Sequence, residues 1–460
     1  MHRSVVITGL GVVSAAGIGA DAFWRALESG RSAIGPIRAF DASGFPCRLG
    51  GEIDGADARP YVPKSYRKAT KVMARDTELA VIAAQLAVAD AGVATRGSGE
   101  ASEAATGPDA PRLDPDRTGC QIGAGLLTAE INELTAALHT SRGENGFDVR
   151  KWGSAEGGGG AMDNLPPLWM LKYLPNMLAC HVTIIHGAEG PSNTITCAEA
   201  SGLLSLGESA RVIERGDADA CFSGGVESKI NPVGLLRLTY EGRLAETGDA
   251  TDSGEIVRPY DPDAPGGVPG EGGAIFLIEE GSKASVRGKG RAYARLAGFG
   301  AAHSGGPLFP GVFDGDPGDG FADSGIERAV RAALADAGIT PGEVDAIVPG
   351  AFGVASCDRG ERNALAAVFG ARLAEIETIT ITPTVGLTAA GHGSLLAAAG
   401  ALAIKHQRLP ARRHGGTPHA SMRVGPTDAR DASLRTVLVC TPSLGGQVGA
   451  IVLTRHGETG

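Results

Sequence analysis

The residues of this chain that could do chemistry lie in three short stretches. The first reads Gly190-Pro191-Ser192-Asn193-Thr194-Ile195-Thr196-Cys197-Ala198-Glu199-Ala200-Ser201-Gly202. Cys197 offers a thiol, nucleophilic once ionised. Glu199 offers a carboxylate, which serves as a general acid or base only with a second polar group in hydrogen-bond reach. The second stretch, Thr384-Val385-Gly386-Leu387-Thr388-Ala389-Ala390-Gly391-His392-Gly393-Ser394, carries the obvious candidate for that group, His392, which reads equally as a turn histidine. The third runs from Val344 through Gly350-Ala351-Phe352-Gly353 to Asp358-Arg359-Gly360-Glu361 and carries no imidazole.

Elements must position these groups. After Glu199 a helical pattern spans Leu203–Ile213. A helix start offers free N–H groups and a dipole that favours an anion by about 0.3–1 kcal/mol. A carboxylate buried there needs a hydrogen bond or an ion partner, and without one its pKa rises. Val5-Val6-Ile7-Thr8 predicts a strand buried on both faces, Gly9 to Ser14 a turn, and Asp21 to Ser29 a helix capped by Asp21. Gly9-Leu10-Gly11 lacks the third glycine and the distant acid of a dinucleotide fingerprint. A second strand and turn of the same kind runs from Ala294 to Ser304. The duplication predicts two α/β halves, 1–285 and 286–460, with helices sandwiched between sheets. Residues 97–116 and 409–433 lack apolar periodicity and read as exposed loops.

The chain has 460 residues, 43% hydrophobic and 20% charged, enough to bury a large core, and its net charge of −10 argues against a nucleic-acid surface. Arg211, Arg215 and Arg237 are the candidates for a local basic patch. The seven cysteines are scattered without a CxxC, so neither a disulfide framework nor a metal site is expected. No apolar run reaches the roughly 18 residues of a membrane span, and the early Gly9 argues against a signal peptide, so a cytoplasmic protein is expected.

In order and spacing, several stretches resemble the β-ketoacyl synthases, the condensing enzymes of fatty-acid and polyketide synthesis. They are Val5 to Ser14, Gly190 to Gly202, Arg258-Pro259-Tyr260-Asp261, Gly270-Glu271-Gly272-Gly273-Ala274 and the gate-loop segment Ser443-Leu444-Gly445-Gly446. The resemblance covers nearly the whole chain and implies a thiolase-like α-β-α-β-α fold made of two pseudo-duplicated halves. Working members use a cysteine nucleophile and two histidines. Counted from Gly190-Pro191-Ser192, the cysteine falls on Glu199 and not on Cys197. The first histidine falls on Gly350, or on Phe352 if the alignment is shifted. The second falls on Ala390 counted from the left and on Ser394 counted from the right, with His392 between them, and the supporting lysine falls on Val385.

A carboxylate cannot form the acyl thioester that condensation requires. The pattern is similar to the chain-length factor, or ketosynthase β subunit, of type II polyketide synthases. The resemblance implies a non-condensing subunit that pairs with an active ketosynthase (the α subunit), meets an acyl carrier protein and shapes the tunnel in which the acyl chain grows. Leu126, Ile131, Leu134 and Leu444 are the candidate tunnel and interface residues, and Ser192 to Cys197 the candidate contact strand. The interface should exceed about 2,000 Å². No cofactor is implied. Chain-length factors often carry glutamine where Glu199 stands; an ionised glutamate cannot donate to an enolate, which argues against priming decarboxylation. Two alternatives stay open: an autonomous decarboxylase or acyl-transfer enzyme using Glu199, and a displaced nucleophile at Cys197, expected on a buried strand.

Overall fold

The computed structural model describes residues 3–98, 110–153, 159–251, 253–286, 292–305 and 318–457. Its main sheet is built from strands β1 (Val5–Ser14), β2 (Thr118–Gly123), β3 (Ser192–Ile195), β4 (Ala220–Ser228) and β5 (Glu271–Glu280), then β6 (Ala294–His303), β7 (Ala346–Val348), β8 (Glu377–Thr378), β9 (Thr436–Pro442) and β10 (Gln447–Thr454). The helices that matter for the site are α1 (Arg75–Ala91), α2 (Ile131–Thr140), α3 (Met177–His186), α4 (Ser201–Glu214), α5 (Ser324–Ala337), α6 (Ala355–Phe369) and α7 (His392–His406).

The strand order is β3-β2-β4-β5-β1 in the first half and β8-β7-β9-β10-β6 in the second, the same arrangement twice. In each half the three outer strands run parallel and the last two turn antiparallel. The halves join where Val5–Ile7 pairs antiparallel with Ala294–Leu296. Helices α4 and α7 lie in the centre, touching each other and both half-sheets, while α1 and α3 cover one outer face and α5 and α6 the other. Three apolar clusters fill the spaces, the central one built around Leu203, Leu206, Leu395 and Leu402. These are the layered halves that the duplication implied, in the thiolase-like fold that the resemblance implied.

Gly9 to Ser14 continues the strand and makes no turn. The glycines are there for contact. A Cβ on Gly9 would lie 2.2 Å from Ala87 O, and one on Gly11 1.9 Å from Ala83 O, so α1 rests directly on the strand backbone. The second half repeats the device: a Cβ on Gly298 would meet Ala333 O at 2.3 Å and one on Gly300 would meet Ala329 O at 2.1 Å. Both strands also shift register at the matching point, Ile7/Gly9 and Leu296/Gly298. Asp21 sits in the first turn of the helix Ala20–Ser29 and not at its cap, which is Gly19.

The stretch 409–433 is not a free loop. Arg408–Leu409 pairs with Arg430–Asp431, Met422 and Val424 are buried, and Arg412, Arg423 and Arg430 converge on Glu377 of the edge strand β8. Of the stretch 97–116, residues 99–109 lie outside the described residues.

Candidate functional site

The site forms where the starts of α4 and α7 meet the turn between β9 and β10. Strand β3 ends at Ile195, Ala198 takes a left-handed φ of 43°, and a single 3-10 turn, Ala198–Ala200, leads into α4. The second half repeats this at Ala389, φ 45°, with the turn Ala389–Gly391 leading into α7. Ala351, φ 47°, stands beside Gly350 in the third stretch. Non-glycine residues in this region cost energy and persist only where the surroundings fix them, which is common at functional sites. All three strained alanines lie within stretches singled out by the sequence.

Glu199 is 1% exposed. Its Oε1 lies 2.5 Å from a terminal guanidinium nitrogen of Arg243, and its Oε2 accepts the Leu444 N–H at 3.1 Å. Arg243 is itself 2% exposed, is 3.3 Å from Glu241, and faces the Phe352 ring at 5.7 Å. Burial alone would raise the Glu199 pKa; the Arg243 charge, its own N–H and the Leu444 N–H overcome that and hold it below the ordinary carboxylate value. The group is therefore a paired anion at neutral pH and has no proton to give. The partner that the sequence demanded is Arg243.

His392 is fully buried. Its Nε2 lies 2.9 Å from Gly350 O; a carbonyl only accepts, so Nε2 carries the proton. Among the described residues Nδ1 has no hydrogen-bond partner, and the ring packs against Phe352 at 5.3 Å. Burial lowers its pKa, which keeps it neutral. No hydrogen bond joins it to Glu199 among the described residues, so the acid–base pair needed for an autonomous enzyme is not assembled.

The remaining positions serve the backbone. Gly350 and Ala351 donate their N–H groups to Glu361, and Phe352 and Gly353 donate theirs to Asp358, both on α6. Tyr260 adds its N–H to Asp358 and its hydroxyl to Glu361. Ala390 donates its N–H to Glu227, whose other oxygen pairs with Lys229. Ser394 Oγ accepts from Ala274 N and lies 2.7 Å from Gly225 O and Gly391 O, tying α7 to the sheet. Val385 is buried and brings no charge. Cys197 is half-buried just beyond the end of β3, not on a buried strand, and burial raises its pKa, the opposite of an activated thiol.

The candidate tunnel residues separate. Leu126 is 63% and Ile131 37% exposed, whereas Leu134 is half-buried beside Ala137 and Leu165, and Leu444 half-buried against Phe352 and Leu387. Of the fourteen exposed large hydrophobic side chains among the described residues, eleven fall between Leu126 and Ile184, in the segment joining β2 to the start of β3. The outer edge of β3 has no strand paired to it among the described residues, and Ser192 and Asn193 are exposed. The equivalent edge β8 is covered by the arginine cluster on Glu377. Arg211 and Arg215 do not make a basic patch: Arg211 is neutralised by Glu214 and Asp336, and Arg215 by Asp217 and Glu208. Arg237 keeps one buried guanidinium nitrogen without a hydrogen-bond partner among the described residues. Among the described residues no cluster of three or more His, Cys, Asp or Glu could hold a metal ion, and no helix is long and apolar enough to cross a membrane.

Each layered half carries a strained alanine turn leading into its central helix, and the buried Glu199–Arg243 pair lies at the first of these turns. Residues 2–284 match the family described as β-ketoacyl synthase, N-terminal domain, and residues 318–415 its C-terminal domain. The chain belongs to the β-ketoacyl synthase family. It is 31% identical over 455 residues to the tetracenomycin polyketide synthase ketoacyl synthase beta subunit of Streptomyces glaucescens, with 98% of each chain covered. To the alpha subunit of the same synthase it is 30% identical over 477 residues, covering 100% of this chain and 98% of the other. Among solved structures it is similar to the ishigamide ketosynthase/chain length factor, with a TM-score of 0.79, 25% identity and coverage of 99% and 100%.

Proposed function

We propose that this chain is the non-condensing, chain-length subunit of a type II polyketide synthase, working in the cytoplasm. It pairs with an active ketosynthase, receives the acyl carrier protein jointly with it, and shapes the tunnel in which the acyl chain grows. The observation that carries the reading is the Glu199–Arg243 pair: the position we assign to the former nucleophile holds an anion already paired and hydrogen-bonded. We place the former histidines at Gly350 and at the Ala390–Ser394 turn. With a glycine at the first and a backbone-bound His392 in the second, nothing is poised to assist decarboxylation.

The open edge of β3 and the concentration of exposed apolar side chains between Leu126 and Ile184 support pairing with a second thiolase-like chain. An exposed strand edge templates pairing with another chain, and a large apolar patch marks a covered surface. Leu126 and Ile131 are the residues we place at the tunnel end of that interface. Co-expression with a ketosynthase α subunit tests the reading: a stable heterodimer is expected, and a well-behaved monomer that ignores its partner overturns it.

A further inference from the structure

Two donors from distant parts of the chain converge on the Glu199 carboxylate, the Arg243 guanidinium and the Leu444 N–H. Arg243 is buried, and Leu444 is half-buried, packed against the cluster of Phe352, Val354 and Leu387. Among the described residues the Leu444 N–H has no other acceptor. A buried cation and an N–H aimed at one point favour a carboxylate, because charge-assisted hydrogen bonds are roughly twice as strong as neutral ones. Glu241, 3.3 Å from a second guanidinium nitrogen, keeps Arg243 oriented.

We propose that Arg243 and the Leu444 N–H form an anion-binding site, that Glu199 is its built-in ligand, and that the class of molecule it takes is a small monocarboxylate. While Glu199 occupies it, no carboxylate arriving from outside can, and the Ser443–Gly446 turn is tied to the start of α4. The inference deepens the reading above and rests on it only in treating the pocket as a former substrate site. The binding chemistry belongs to these residues whether or not the chain sets product length.

Beyond Cβ, a glutamate side chain has the same heavy atoms as acetate. Glu199→Ala in the co-expressed heterodimer should therefore open a site of acetate's size and charge. Thermal unfolding is followed while acetate, acetamide or chloride is added at matched ionic strength. The expected result is a saturable rise in melting temperature with acetate in Glu199→Ala. Acetamide, lacking the charge, should act about tenfold more weakly. The response should be absent in the wild type and in the double variant Glu199→Ala/Arg243→Met. Equal effects of acetate and acetamide, the same response in the wild type, or no saturable response in Glu199→Ala would each overturn the proposal. If Glu199→Ala yields no folded complex, recovery of the complex by refolding with and without acetate decides the matter, the double variant serving as folded control; no acetate-dependent recovery overturns it. None of these readouts involves polyketide formation, so failure here is distinct from failure of the functional assignment.

Discussion

The Glu199 carboxylate and the Arg243 guanidinium meet at 2.5 Å, with side-chain exposures of 1% and 2%. Removing one partner of such a pair leaves an uncompensated buried charge, whereas replacing both with apolar groups of similar size is far better tolerated. Glu199→Ala should destabilise the chain by about 3–5 kcal/mol, and adding Arg243→Met should recover most of that loss. Urea unfolding of the single and double variants checks it. Additive losses would mean that the two side chains stabilise the fold independently.

The pH dependence of stability should slope the unusual way. Burial, then the nearby Glu227 charge, pushes the Asp76 carboxyl up to about 7. Burial likewise pushes Asp358 up to about 8. Between the ordinary carboxyl pKa and these values the native state holds protons that the unfolded state has released. Stability is then fully present below the unfolded pKa and falls as pH rises, by up to about 1.4 kcal/mol per pH unit for each group. Glu199 acts in the opposite sense, its depressed pKa adding stability that is lost only as pH falls through its folded value. Asp76→Asn should remove part of the decline between pH 5 and 7 in denaturant midpoints. An unchanged slope in that variant would rule out Asp76 as its source.

Gly11 and Gly300 perform the same task in the two halves, with space for a Cβ denied at 1.9 Å by Ala83 O and at 2.1 Å by Ala329 O. Alanine at either should cost about 1–3 kcal/mol by forcing helix and strand apart. Loss at one site but not the other, measured by chemical denaturation, would show that the halves are packed differently.

The exposed apolar side chains should matter for pairing and little for folding. Leu126 is 63% and Leu168 79% exposed. Lysine at either position should leave the chain's own stability within about 0.5 kcal/mol, as surface changes usually do. Co-purification with the ketosynthase should fall sharply. A full yield of complex from both variants would move the interface elsewhere.

The duplicated fold was readable because each half opens with the same strand and glycine pattern. Gly9 to Ser14 was misread for a local reason: a glycine between apolar residues signals a turn or a close helix contact equally well, and only the packing of Ala83 and Ala87 decides. At the site, the sequence demanded a partner for a buried Glu199 but could not name it, since Arg243 lies 44 residues away with no spacing rule to connect them. Asp358 and Glu361 could be quoted as landmarks, yet their task of holding the Gly350–Gly353 backbone appears only when α6 is placed beneath that loop. The stretch 409–433 lacks apolar periodicity because arginines gathered on Glu377 and a few scattered buried side chains, Leu409, Met422 and Val424, fix it in place.

Reconstitution with a ketosynthase α subunit, carrier protein and malonyl units tests the central claim most directly. Each chain is assayed alone and together, with this chain as wild type and as Glu199→Gln, which removes the charge while keeping the size. We expect polyketide only when both chains are present, and product per folded complex unchanged with Glu199→Gln, any loss following the yield of complex. Condensation or brisk carbon dioxide release by this chain alone, abolished by the same substitution, would make Glu199 catalytic and contradict the account.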